Sequence, residues 1–456
     1  ITGTHAALAK EVSEMLVRFG GPLLGCTEVV PVLEVIDETH CGFVGCDAQS
    51  GDADDSAGGE AGAASQDASA AAAVGLRSLA SAHLRARWNG LDIVDFPGLA
   101  AAFEHLFSQH PLRRNADIFV CSTPALLCSL FAPFNDEKPL LAYLGEPILL
   151  SVPGEEREAW FTQFEALVTR GNNFFACYNP YLAEMIRYQT GLALPVIRLH
   201  GLYTNALYSP TRPRDILVVK GPNICADPVC LLNRFAALAA GVEEFPSGAP
   251  DKGHPRSFKA AAAASGQSSQ EGSDGQAWRR GGDVAFIGLD ELGGAPYRDL
   301  AAFRATILYP YDVALAIFYE LYSMCMPLFV PRVDLLPFYV FRGVHSARDY
   351  HNVQPDFGGN ITGIGVSPFI PPLDVEQWFF AGRSWSDVTD FARFPHLLRF
   401  GTVAELLAAL APGATDWSAV SASMKRFNED TLVQSAAQWA GGIASALAGS
   451  AGASRP

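Results

Sequence analysis

Short apolar runs alternate with helix-like patterns along most of this chain, and this alternation is the feature that most constrains its fold. In the first half, apolar runs predict strands at residues 29–36, 117–121, 139–144, 174–177 and 195–199. Helix-like patterns lie between them at residues 99–108, 124–131, 157–169 and 181–188. Apolar strands that are separated by helices are typical of a parallel sheet covered on both faces.

The same alternation restarts in the second half of the chain. Strands are predicted at residues 215–219, 284–288, 306–309 and 327–330, and helices at 228–240, 296–303 and 313–324. The proline-rich residues 208–213 separate the halves and are interpreted as an interdomain linker. Further helices are predicted at 403–410 and 416–447. We therefore predict an α/β protein with two doubly wound, Rossmann-like domains that face a cleft.

The predicted domains follow one another along the chain. They are an N-terminal Rossmann-like domain at 1–207, a C-terminal Rossmann-like domain at 208–400, and a helical segment with a tail at 401–456. Residues 47–73 and 246–282 are poor in large apolar side chains, so we predict disordered insertions there. The residues from about Ala448 onward are predicted to be a frayed tail. Because ligands of parallel α/β sheets bind outside the carboxyl ends of the strands, the cleft is the expected site.

Charge and hydropathy limit the partners of the chain. It has 32 Lys and Arg against 48 Asp and Glu, a net charge of −16, and no basic run, which disfavours nucleic acid as a partner. No uninterrupted apolar run reaches the roughly 18–20 residues of a transmembrane helix, so none is predicted in this chain. The location of the protein is left open between the cytoplasm and an association with endomembranes.

Signatures of several enzyme classes are missing from the sequence. There is no G-x-G-x-x-G after a strand, no P-loop, no G-x-S-x-G and no H-E-x-x-H. The nine cysteines are an odd number and several stand in apolar runs, which predicts buried free thiols. No metal and no cofactor are expected, whereas binding of a nucleotide sugar stays open because it needs none of these motifs.

Residues 297–331 form the most informative segment, with a predicted helix, strand, turn and second helix in succession. Asp312 follows Tyr311 in the turn and is placed to cap a helix that begins near Val313. The amino end of that helix would be an electropositive pocket suited to phosphate. Glu320 stands in an otherwise apolar run, where a buried carboxylate needs a partner.

This segment resembles the carboxy-terminal domain of GT-B glycosyltransferases. In the retaining enzymes of that superfamily, two acids separated by seven residues frame the helix after a strand, and the later acid grips the ribose of the nucleotide-sugar donor. Asp312 and Glu320 have this spacing, with Asp where the family usually has Glu. The resemblance implies donor contacts from Glu320, Asp312, Tyr311, Val313 and, on the diphosphate, Lys220. The alternatives are a capped helix whose Glu320 is salt-bridged at a domain interface, and a solvated Lys220.

Three residues of the first half are candidates for the acceptor side. Gly145 ends a predicted strand, where a glycine lets the backbone approach a ligand, and Glu146 follows as a possible contact for an acceptor hydroxyl. Asn179 precedes a proline and is placed to cap the next helix. An ordinary strand-to-loop turn is the alternative for Gly145 and Glu146. No general base is assigned.

The leading hypothesis is a hexosyltransferase-like glycosyltransferase. It would move a sugar from a nucleotide-sugar donor, held by the C-terminal domain, to an unknown acceptor, with catalysis by positioning and by stabilisation of the leaving diphosphate. The alternative is a catalytically inactive GT-B-like protein that binds a nucleotide sugar or a glycan, which the lack of an amino-terminal glycine-rich loop favours. A third hypothesis is another two-domain α/β enzyme, such as a sugar-nucleotide epimerase. The stereochemical outcome of transfer is left open.

Overall fold

The computed structural model describes residues 2–3, 6–20, 33–34, 84–87, 90–93, 95–220, 228–240, 284–310, 312, 315–340 and 382–453. The predicted insertions at 47–73 and 246–282 lie outside these residues. The chain divides into two compact units. The first unit comprises Ile1–Tyr203, Val344–Asp390 and Glu429–Pro456, and the second comprises Thr204–Gly343 and Phe391–Asn428.

The two units are not consecutive stretches of chain. Asp390 accepts hydrogen bonds from Arg198, and the ring of Trp439 packs 5.4 Å from that of Tyr143, so later parts of the chain return to the first unit. The observed units therefore differ from the predicted consecutive blocks at the described residues 382–390 and 429–453. Contacts between residues so distant in sequence leave no local signal from which a block boundary can be read.

The first unit contains a parallel sheet of five strands with the order β2-β1-β5-β6-β7. A separate antiparallel pair is formed by β3 and β4. The strands are β1 (Thr2–Gly3), β2 (Leu33–Glu34), β3 (Leu84–Arg87), β4 (Gly90–Ile93), β5 (Phe119–Cys121), β6 (Leu140–Leu144) and β7 (Asn173–Cys177). The helices are α1 (Ala6–Met15), α2 (Phe96–Gln109), α3 (Pro111–Asn115), α4 (Arg157–Thr169) and α5 (Pro180–Thr190).

The structure corrects two predictions for the first unit. The helix predicted at 124–131 is a 3-10 helix, Ala125–Phe134, which contains Pro133, a residue that lacks the N–H needed for a regular α-helical ladder. Cys121 and Cys128 form a disulfide with 5.3 Å between their Cα atoms, so these two of the predicted free thiols are paired. Cys177 is a buried free thiol, as predicted.

The second unit contains another parallel sheet of five strands, with the order β12-β11-β10-β8-β9. The strands are β8 (Arg212–Lys220), β9 (Ala285–Gly288), β10 (Phe303–Leu308), β11 (Leu328–Pro331) and β12 (Leu398–Phe400). The helices are α6 (Pro228–Ala239), α7 (Tyr297–Leu300), α8 (Ala316–Ser323), α9 (Leu336–Val340), α10 (Asp390–Arg393), which starts in the first unit, and α11 (Val403–Leu410). Alternating residues of these strands, among them Ile216, Val218 and Phe329, build its core with Leu406 and Leu410 of α11.

The predicted linker at 208–213 belongs to the second unit. The backbone N–H of Tyr208 donates to the carbonyl of Met324 at 2.8 Å, and that of Ser209 donates to the carbonyl of Ala301 at 3.0 Å. Proline and turn residues therefore mark the irregular entry into β8, and the boundary between the units falls earlier, at Tyr203 and Thr204.

The last helix, α12 (Trp417–Ala453), extends through most of the predicted frayed tail. A Cβ atom at Gly449 would collide with the backbone of Gly171, and one at Gly442 would collide with the ring of Phe174. The end of the helix belongs to the first unit and packs there against Phe174 and Gly171. Across the described part of the chain, we find no helix that combines the length and the apolar character needed to cross a membrane.

Candidate functional site

Of the predicted donor residues, Lys220 ends β8 and Asp312 follows β10, which places both at the carboxyl edge of the second sheet. Asp312 follows β10 and is only 1% exposed, but it does not cap α8. That helix begins at Ala316, where Leu315 occupies the N-cap position in an extended conformation without a side-chain cap. The predicted capping role of Asp312 is therefore wrong, because the helix starts later than the polar residue that seemed to open it. Tyr311 and Val313 lie outside the described residues.

Glu320 is buried in α8 and has a partner within its own unit. Its carboxylate is hydrogen-bonded to the hydroxyl of Tyr297, the first residue of α7. Burial raises the pKa of Tyr297 far above its usual range, and the nearby charge of Glu320 raises it further. The buried carboxylate in this apolar run therefore has a polar partner, the hydroxyl of Tyr297.

Arg332 is a charged residue at the same edge that sequence reasoning missed. It directly follows β11, and its guanidinium makes two bonds to Asp334, with Nε–Oδ1 at 3.2 Å and Nη2–Oδ2 at 3.0 Å. Its position immediately after a predicted strand is the signal that could have found it. Lys220 is the last residue of β8, and its side chain lies outside the described residues.

Two carboxylates at this edge accept hydrogen bonds from backbone N–H groups that could otherwise donate to a phosphate. Thr402 caps α11 through the N–H of Glu405, and the Glu405 carboxylate accepts from the N–H of Gly401 at 2.6 Å. After β9, the N–H of Gly288 donates to Glu291 at 2.9 Å. At these two positions, the protein's own carboxylates bind backbone N–H groups that could otherwise donate to an anion.

The carboxyl edge of the first sheet brings the three predicted acceptor-side residues together, because β6 and β7 are neighbours. The N–H of Gly145 donates to Thr123 Oγ1 at 3.1 Å, and a Cβ at this glycine would collide with Leu8. Because Gly145 has no side chain, Leu8 of α1 can pack against its backbone. The sequence analysis expected a ligand at this position. Glu146 follows in a half-buried position.

Asn179 is the N-cap of α5, as predicted, and accepts from the N–H of Leu182 at 2.8 Å. Its amide nitrogen is buried and has no hydrogen-bond partner. The same holds for the hydroxyl of Ser122, which follows β5 and which sequence reasoning missed. Buried polar atoms without partners are rare in native proteins. The first edge therefore offers two neutral hydrogen-bonding groups, the Ser122 hydroxyl and the Asn179 amide, in addition to the carboxylate of Glu146.

Comparisons with known proteins establish neither a family nor a function for this chain. No protein-family model matches the chain, and no curated protein matches it. Among solved structures, the chain is similar to a crystal structure of accessory secretory protein 1, 2 and 3 in Streptococcus pneumoniae, with 11% identity and a TM-score of 0.30. The similarity covers 68% of this chain and 59% of that chain, so this chain spans less than two thirds of its length. A similarity of this size supports no functional conclusion.

Proposed function

We propose that this chain is a GT-B-like protein that binds a glycan and does not transfer sugar. The observation that carries the proposal is the hydrogen bond between the buried carboxylate of Glu320 and the hydroxyl of Tyr297. The presence of a five-stranded parallel sheet in each of two units agrees with GT-B-like architecture. The GT-B arrangement of the units is itself part of the proposal.

The state of the two acids argues against a donor site. A carboxylate that grips ribose has to face the ligand, but Glu320 is 5% exposed and Asp312 is 1% exposed. To reach a nucleotide, Glu320 would have to leave Tyr297, and the cost of that separation would reduce the affinity for the donor. Carboxylates such as Glu291 and Glu405 would further repel a diphosphate at this edge.

The first sheet offers groups that suit a glycan better. The amide nitrogen of Asn179 donates hydrogen bonds, and the hydroxyl of Ser122 both donates and accepts them. Sugar hydroxyls do the same, and neither protein group carries a charge that an uncharged sugar would leave unpaired. The half-buried carboxylate of Glu146 adds an acceptor at the same edge of the sheet.

A glycosyltransferase is the second candidate, and one observation favours it. Asp312 and Glu320 both lie between β10 and β11, the position that the resemblance to retaining GT-B enzymes requires. Release of Glu320 from Tyr297 on donor binding would then form the ribose contact. Hydrolysis of a nucleotide sugar by the protein separates this candidate from a protein that only binds.

Thermal shift with two ligand panels tests the proposal. We expect neutral oligosaccharides to raise the melting midpoint of the wild type, since a ligand at a hundred times its Kd stabilises by about 2.7 kcal/mol. The Ser122→Ala variant should lose this gain. Ser129→Ala removes another buried hydroxyl of the same unit, one that donates to the carbonyl of Leu126, and should keep it.

The second panel contains UDP, GDP, ADP, CMP and their sugars. A shift with one nucleotide sugar, together with donor hydrolysis that is lost in Glu320→Gln, would replace the proposal with the transferase. If no oligosaccharide at millimolar concentration shifts the melting midpoint of the wild type, the proposal of glycan binding is wrong.

A further inference from the structure

Residues 197–202 form a buried, irregular stretch that ends the first unit, and we call it the exit strap. It precedes the boundary at Tyr203 and Thr204, and its last residue opens a short 3-10 helix, Leu202–Thr204. The sequence predicts a strand at 195–199, but the structure has no strand there. It has an isolated parallel bridge between Val196 and Cys177, just before the exit strap. A buried segment without regular structure needs other partners for its backbone groups.

The beginning of the exit strap is held by the sheet. The N–H of Ile197 donates to the carbonyl of Cys177 at 2.9 Å. Its carbonyl accepts from the hydroxyl of Tyr143, on β6, at 2.7 Å. Both backbone groups of Ile197 are therefore hydrogen-bonded to residues of β6 and β7.

The end of the exit strap is held by α1 and the turn after it. The carboxyl group of Glu11 accepts from the N–H of His200 at 2.6 Å through Oε1 and from the N–H of Leu202 at 2.8 Å through Oε2. Arg18 Nη2 donates to the carbonyl of Leu202 at 3.2 Å. His200 Nε2 lies 2.9 Å from the hydroxyl of Ser435, on α12. Glu11 and His200 thus both hold the exit strap, Glu11 through two of its backbone N–H groups and His200 through Ser435.

We propose that Glu11 and His200 form an opposed pair of titratable groups that locks the exit strap and keeps it closed from mildly acidic to neutral pH. Glu11 is wholly buried under the two strap amides, and His200 is 7% exposed. Lifting the strap would expose both groups to water together. The device goes beyond the proposed glycan binding and does not depend on it.

The pKa values of the two groups are displaced in opposite directions. Burial raises the pKa of Glu11 to about 7, although the N–H groups of His200 and Leu202 and the charge of Arg18 oppose the rise and Glu14 adds to it. Burial lowers the pKa of His200 to about 4, and the charge of Arg198 lowers it further.

Other titratable groups face the pair from the sheet and from α10. Tyr143 of β6 feels the charge of Glu11, and burial holds its pKa well above the usual range, so its hydroxyl stays protonated. Asp390 of α10 is hydrogen-bonded to Arg198. Between pH 4.5 and 7, the two members of the pair are, among these groups, those whose protonation is expected to change when the strap opens.

The signs of the two titrations cancel. Between pH 4.5 and 7, closed Glu11 holds a proton that it releases on opening, so rising pH favours opening. Between pH 4 and 6.5, His200 takes up a proton on opening, so falling pH favours opening. Opening therefore moves one proton from Glu11 to His200 through water, with little net exchange with the solvent, and the lock becomes nearly independent of pH.

Hydrogen exchange at single-amide resolution tests the pair in the full chain. For the amides of His200 and Leu202, after correction for intrinsic exchange, we expect the wild-type opening constant to change less than about threefold between pH 5 and 7. In Glu11→Gln, opening should increase by more than about tenfold as the pH falls from 7 to 5. In His200→Asn, it should decrease by more than about tenfold over the same interval. The amide of Leu182, capped by Asn179, is the internal reference.

Glu14→Gln is the matched control, because it removes an exposed carboxylate from the same helix, one paired with Arg18. Its profile should stay as flat as that of the wild type. The proposal is overturned by a wild-type slope as steep as that expected for either variant, by slopes of equal sign in Glu11→Gln and His200→Asn, or by a Glu14→Gln slope like that of Glu11→Gln. If one variant does not fold, the wild-type profile and the other variant still decide.

Discussion

The hydroxyl of Tyr297 donates a hydrogen bond to the carboxylate of Glu320, and both side chains are buried in the second unit. The residue that the sequence marks as a ligand contact is therefore bound by the protein itself. The carboxylate of Glu320 can therefore have one of two roles. It either stabilises the packed unit through Tyr297 or leaves Tyr297 to contact a donor.

We expect Tyr297→Phe to lower the free energy of unfolding by about 1–3 kcal/mol, because a buried carboxylate loses a donor. Glu320→Gln should cost less, since its amide keeps an acceptor and buries no charge. Urea denaturation of both variants and of the double variant gives the coupling energy, which should reach at least about 0.5 kcal/mol. Strictly additive effects would show that the two side chains do not interact.

The N-cap of α5 gives a second prediction. Asn179→Ala should lower the free energy of unfolding by about 1 kcal/mol, because the N–H of Leu182 loses its partner, whereas Asn179→Ser should retain most of the stability. Thr402→Ala removes the corresponding cap of α11 and calibrates the size of the effect in denaturant titrations. Equal stabilities of the alanine and serine variants would contradict the capping role.

Two adjacent glycines of α12 should respond in opposite ways. Gly441→Ala should stabilise the protein by about 0.5–1 kcal/mol, because nothing lies within 4 Å of the added Cβ and alanine is the better helix former. Gly442→Ala should destabilise it by about 1–3 kcal/mol, because the added Cβ meets the ring of Phe174. Thermal melts of the pair are the measurement, and effects of the same sign would refute the packing of α12.

The pH dependence of global stability follows from Glu11. Its raised pKa means that its contribution is fully present below about pH 4.5 and is lost as the pH rises to about 7. The stability of the wild type minus that of Glu11→Gln should therefore fall across this interval, at up to about 1.4 kcal/mol per pH unit. Denaturant titrations at four pH values measure this difference. A difference that is constant or that rises would show that the carboxyl is not protonated in the folded state.

Local features of this fold could be predicted where the sequence contains both the pattern and its end signals. Residues 157–169 and 403–410 are helices with the predicted bounds, and Thr402 supplies the cap before the second of them. The parallel sheets also follow from continuous apolar runs. By contrast, β1 has two residues and no readable period, so the sequence analysis missed it.

The candidate sites were predictable only as far as their signals are local. Asn179 could be identified as a cap because the proline beside it marks the helix start. The partner of Glu320 is set by tertiary packing with α7, and the N–H groups bound by Glu11 lie 189 and 191 residues away in sequence. Sequence motifs with fixed spacing do not connect residues so far apart in the chain. From the sequence alone, Glu11 is therefore indistinguishable from an ordinary acidic residue on an amphipathic helix.

The close approach of Gly449 to Gly171 has a practical consequence for anyone who trims this protein. The alanine- and glycine-rich end of the chain is the kind of sequence that compositional filters mark as dispensable. Its lack of bulk is what lets a helical backbone lie directly on the turn at Gly171. A chain shortened to residue 447 would strip a cover from the first unit, and the loss of expression or solubility that followed could be mistaken for a defect in function.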